Sequence, residues 1–128
     1  MDAIERRDIL KPAANPGAAR DYVVMLTGER VLLGAQVHVI LRYVPDRHVL
    51  PPATFQSYLD RIGELEWASL EAAAVAILDD MSNELLGRWT QVTLRAPGSD
   101  SAGGQEIAIE DHQPGWHNED LLYRLPPV

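Results

Sequence analysis

Between Ala35 and Val44 the chain reads AQVHVILRYV, and this alternation constrains the fold more than any other stretch. Ala35, Val37, Val39, Leu41 and Tyr43 share one face of an extended segment, while Gln36, His38 and Arg42 point the other way with Ile40 and Val44. A strand with one apolar and one mixed face belongs in an antiparallel sheet that is covered on one side. Pro45 and Asp46 stop it. Upstream, YVVML from Tyr22 reads as a short buried strand, and Thr27-Gly28 in the intervening TGER reads as a turn.

Beyond Pro51 and Pro52 the period changes. Phe55, Tyr58, Leu59 and Ile62 keep helical i, i+3, i+4, i+7 spacing, with Thr54 as the candidate N-cap and Gly63 as the break. A longer helix carries Leu70, Ala74, Ile77, Leu78, Met81 and Leu85 as its apolar stripe until Gly87 ends it. Two strands follow, Trp89 to Arg95 with Thr90, Val92 and Leu94 on one face, and Gln105 to Asp111 with Ile107 and Ile109 inward. APGSDSAGG joins them as a hairpin loop. The order predicts an α+β fold in which two helices lie on one face of a four-stranded antiparallel sheet. Residues 1–20, with their KPAANPGAAR stretch, are expected to form an arm, flexible alone or tied down by a neighbouring subunit. Residues 21–112 form the domain, and residues 113–128 a tail that packs on its own domain or on a neighbour.

Composition removes whole classes of function. The chain has 128 residues and no cysteine, which excludes disulfides, thiolate metal sites, iron–sulfur clusters and thiolate nucleophiles. Its net charge is −8, and Lys11 is its one lysine. Without a basic patch it is not expected to bind nucleic acid or an anionic membrane. The opening MDAIERRD is charged where a signal peptide needs an apolar segment, and the longest apolar run is the seven residues Ala72 to Leu78, so a cytoplasmic location is expected.

Few side chains stand out as chemistry. Val75 and Leu78 lie at i+4 and i+7 from Glu71, which puts that carboxylate on or beside an apolar line of the helix. It reads either as a ligand anchor or as a first-turn glutamate favoured by the helix dipole with its head in water. His112 and His117, near Glu119 and Asp120, read as a solvated loop, and no metal site is expected. His38 reads as a surface or interface histidine. Thr27 and Ser69 can serve as nucleophiles only beside a base, and none stands at a fixed spacing. Trp67 and Trp89 flank the second helix as core or interface anchors, and a ring near Glu71 could stack on a flat heterocycle.

Taken in order, VHVILRYVPDRHV, TFQSYL, LEAAAVAILDDM and AGGQEIAIED resemble the 7-cyano-7-deazaguanine reductase family of queuosine biosynthesis, over roughly residues 22–111. RYVPD at Arg42 to Asp46, the helix from Glu71 to Met81 and the Gly103-Gly104 pair carry most of the likeness. The resemblance implies the tunnelling fold, a ββααββ subunit whose sheets join into an oligomeric barrel, and hence a homo-oligomer. It also implies a nucleophilic Cys, a catalytic Asp and NADPH. Counting back from Asp46 places Gly28 at the Cys and Ala35 at the Asp, and neither side chain can do that chemistry. Where the family carries lysines this chain reads PPATFQSYL, so NADPH would need Arg47, Arg61 or an arginine of another subunit, and the cofactor stays unassigned. The family's His-Glu pair becomes Leu70-Glu71, which keeps the carboxylate that accepts two hydrogen bonds from a guanine-like edge. The implied protein binds a purine-, deazaguanine- or pterin-like heterocycle through Glu71 at a subunit interface, with Leu70 and Trp67 beside it. The alternatives are an enzyme of that metabolism with different catalytic residues, including water activated by Glu71, or a structural subunit.

Overall fold

Four strands form the main sheet, antiparallel throughout, in the order β2 (Val24–Leu32), β3 (Ala35–Val44), β5 (Trp89–Ala96) and β6 (Gln105–His112). Helices α2 (Pro52–Glu64) and α3 (Leu70–Leu85) lie between β3 and β5 in the chain. A second, two-stranded sheet pairs β1 (Ala13–Ala14) with β4 (His48–Val49), and α1 (Ala3–Ile9) and α4 (Glu119–Tyr123) stand near the two ends. The structure, a computed structural model, describes residues 2–98 and 103–128. Part of the expected hairpin loop, residues 99–102, lies outside the described residues.

Sequence alternation becomes a two-faced sheet. Val37, Val39, Leu41 and Tyr43 are buried against Phe55, Tyr58, Leu59 and Ile62 of α2 and Ala73, Ala74, Ile77, Met81 and Leu85 of α3. Each such large side chain contributes about 1.5–3 kcal/mol by leaving water. The register carries the inner face across the sheet, aligning Leu26, Leu41, Val92 and Ile109 in one row. The other face carries a second set of rows, among them Glu29, His38, Arg95 and Glu106.

Several local expectations change. TGER is not a turn: β2 runs through Thr27 and Gly28, and the reversal comes at Leu33 and Gly34, whose φ values of 53° and 77° suit a two-residue hairpin. Thr54 does not cap α2, which starts with Pro52 at its first position and no side-chain cap on Pro51. Gly63 stays within that helix. Ser69 is the cap of α3, its hydroxyl accepting from the Ala72 amide at 3.1 Å. At the far end Leu86, φ 50°, takes the left-handed position expected of Gly87. Gly87 is needed for close approach instead, since a Cβ there would lie 3.2 Å from the Val44 carbonyl oxygen.

The largest difference is at the N-terminus, where residues 3–14 are built into the domain. Asp2 caps α1, Leu10 enters the core, and β1 pairs with β4. Arg88 then holds the carbonyls of Ala18 and Arg20. This segment shows no amphipathic period because arginines, rather than an apolar stripe, dock it. The tail also packs on its own domain: Gln113 donates to Asp46, Trp116 and Asn118 to Asp21, and Arg42 to the Pro126 carbonyl at 2.7 Å. Among the described residues no helix is long and apolar enough to cross a membrane.

Candidate functional site

Glu71 stands exposed on the first turn of α3, where the positive end of the helix dipole favours a carboxylate. The side-chain amide of Gln105, the first residue of edge strand β6, donates to its Oε1 at 2.9 Å. Among the described residues Oε2 has no hydrogen-bond partner. Val75, one turn along, is exposed, so the apolar line expected beside Glu71 is a surface line there. The carboxylate is thus held at one oxygen, open at the other, and placed next to an unpaired strand edge.

Its expected neighbours divide. Leu70 points inward and is part of the core, so its side chain cannot line a ligand site. Trp67 is half-buried against that core, its indole N–H donating to the Ile62 carbonyl at 3.0 Å and its ring facing Arg6 at 5.9 Å. The ring is committed to holding α1 and the end of α2.

Gly28 lies mid-strand on the face turned to α2. A Cβ there would come 2.5 Å from Leu59 Cδ1, a distance that forces movement, and a longer side chain would run into the core. Ala35 begins β3, opposite Leu32 and four rungs from Gly28, about 13 Å along the strand. The two positions do not converge, and neither carries a reactive atom.

A charged cluster that sequence reasoning missed joins the middle of α2 to the C-terminal half of α3. Asp80 is fully buried, yet it receives Arg6 Nε at 2.8 Å, Arg7 Nε at 2.9 Å and the Tyr58 hydroxyl. The Asp80 hydrogen bond raises Arg6 above its ordinary range, and burial followed by the Asp80 carboxylate raises Tyr58. Its sequence signal was a carboxylate at i+3 from Ile77 and next to Met81, on the buried side of α3. With every partner supplied by the chain, this cluster is a clasp for α1.

Arg42, expected on the mixed face, is buried there. Gln91 Oε1 accepts from both its Nε and Nη2, and Trp89 flanks it at 5.8 Å. Desolvation lowers its pKa, opposed by the Glu110 charge. Most other cations are paired within the chain: Arg30 with Asp60, Arg61 with Glu64, Arg88 with Asp21 and Asp46, and Arg95 with Glu106. Lys11, Arg20, Arg47 and Arg124 have no ion pair among the described residues, and they stand in four separate segments. Nor do three or more His, Cys, Asp or Glu side chains converge as metal ligands among the described residues.

No protein-family profile matches the chain. It is 32% identical to the NADPH-dependent 7-cyano-7-deazaguanine reductases of two strains of Acidithiobacillus ferrooxidans, over 93% of this chain and 88% of each relative.

Proposed function

The chain belongs to the NADPH-dependent 7-cyano-7-deazaguanine reductase family, and from that premise we propose that it binds a purine-, deazaguanine- or pterin-like heterocycle through Glu71 without reducing it. The observation that supports this reading is the half-satisfied Glu71 carboxylate beside the free edge of β6. One oxygen is fixed by Gln105 and the other is free to accept an N–H from a flat, guanine-like edge. The edge strand offers the place where a second copy of the chain would close the site, as in an oligomeric barrel of the tunnelling fold. Reduction is not part of the reading, because the chain has no thiol and neither Gly28 nor Ala35 carries a catalytic group.

Calorimetric titration of wild type and Glu71→Gln with guanines, deazaguanines and pterins tests it. Glutamine keeps the shape but turns one acceptor into a donor facing a donor, so affinity for the preferred ligand should fall by about 3 kcal/mol or more. The fold should hold, since Glu71 is exposed and its dipole contribution is about 0.3–1 kcal/mol. Equal affinities, or no binding by the wild type, would leave Glu71 structural and favour the scaffold subunit.

A further inference from the structure

On the sheet face away from the helices, the pairing of β2 with β3 sets Glu29 opposite His38. Glu29 Oε1 lies 2.8 Å from His38 Nδ1, and Glu29 Oε2 accepts from the Gln36 side-chain amide at 3.1 Å. A carboxylate on Nδ1 places the proton of a neutral imidazole there and leaves Nε2 as an acceptor. Both side chains are roughly half exposed, and they border a cleft of about 280 Å³ whose wall includes Thr27, Gly28 and Ile40. Thr27 is paired with Ile40 on the same face, which makes it the diagonal neighbour of His38, with Cα atoms about 7–8 Å apart. That separation is within the reach of an imidazole and one hydrogen bond. Arg95, opposite His38 on β5, adds a fixed positive charge while its Nε donates to Glu106 at 2.6 Å. Thr27, which has no base at a fixed sequence spacing, thus shares a cleft across strands with an imidazole whose Nδ1 is held by a carboxylate.

We infer that Thr27, His38 and Glu29 form an acyl-transfer site for small carboxylic esters, with Thr27 as nucleophile, His38 as general base and Glu29 as the positioning residue. Thr27 Oγ1 bonds to the acyl carbon while its proton passes to His38 Nε2. The ester C–O bond breaks, and the alcohol leaves with that proton. Water then attacks the acyl-threonine and gives a proton to Nε2. The carboxylic acid departs as Thr27 Oγ1 takes that proton back. Glu71 plays no part, so this site and the heterocycle site stand or fall separately.

The test uses 4-nitrophenyl acetate with the full chain. A burst of nitrophenolate is expected, together with a single acetyl group on the peptide that contains Thr27 after acid quenching. Thr27→Val should abolish the burst and Thr27→Ser keep it. His38→Gln, or His38→Asn if the first variant folds poorly, should slow acylation by about 100-fold or more. Glu29→Gln should slow it by at least about tenfold, displace the pH–rate profile and change the imidazole tautomer seen in nitrogen NMR, with the melting curve preserved. Acetylation at Lys11 or another residue, turnover without acyl-Thr27, or a rate indifferent to His38 would each overturn the inference.

Discussion

The Tyr58 hydroxyl donates to Asp80 Oδ2 at 2.5 Å, joining α2 to α3 at a point where neither side chain reaches solvent. Arg6 and Arg7 close over the same carboxylate from α1. A charge this deep is stable only while its partners stay in place.

Asp80→Ala should therefore destabilise the fold by about 3–5 kcal/mol, because two arginines lose their anion and the phenol its acceptor. Asp80→Asn should cost less but still release α1. Chemical denaturation gives the first quantity, and limited proteolysis near Leu10 reports the second.

Alkaline pH should weaken the protein through Tyr58. Its pKa is raised by burial first and by Asp80 second, and burial also raises that of Tyr43. Unfolded tyrosines lose their protons near pH ~10, whereas the native state holds both protons more tightly. The native state then binds more protons, so stability falls as pH rises through that value, by up to about 1.4 kcal/mol per pH unit for each group. Urea titrations across this range should show the decline, and Tyr58→Phe should make it shallower.

Gly28→Cys should not restore nitrile reduction. Its Cβ would press on Leu59 and its sulfur would face the core, at an overpacking cost of about 1–3 kcal/mol. With alanine at position 35 there is also no acid for proton delivery. Neither wild type nor variant should oxidise NADPH in the presence of 7-cyano-7-deazaguanine, and substrate-dependent oxidation by either would refute this account.

Strand edges should drive assembly. Among the described residues β2 and β6 have no strand partner on their outer sides, and Met25, Val31 and Leu33 are exposed along β2 and its turn. Sedimentation should give a species larger than a dimer, and Val31→Lys should shift it towards smaller ones. A stable monomer at micromolar concentration would remove the interface from the proposed Glu71 site.

Much of the scaffold was legible locally. Phe55, Tyr58, Leu59 and Ile62 announced α2, residues 35–44 announced the central strand, and Ser69 through Leu85 held a helix because spacing within a few residues determines which face is apolar. The lack of cysteine was equally decisive, since composition alone eliminates a thiol nucleophile. Tertiary structure decided what depends on residues distant in the chain. Arg6 meets Asp80 across 74 positions, a pairing that no local period encodes. Gly28 is crowded only because α2 folds back onto β2, and Glu29 faces His38 only because the turn at Leu33 and Gly34 sets the register. A shift of one residue in that register would move every side chain of β2 to the other face of the sheet, which is why the periods could be read along the chain while the partners required the folded molecule.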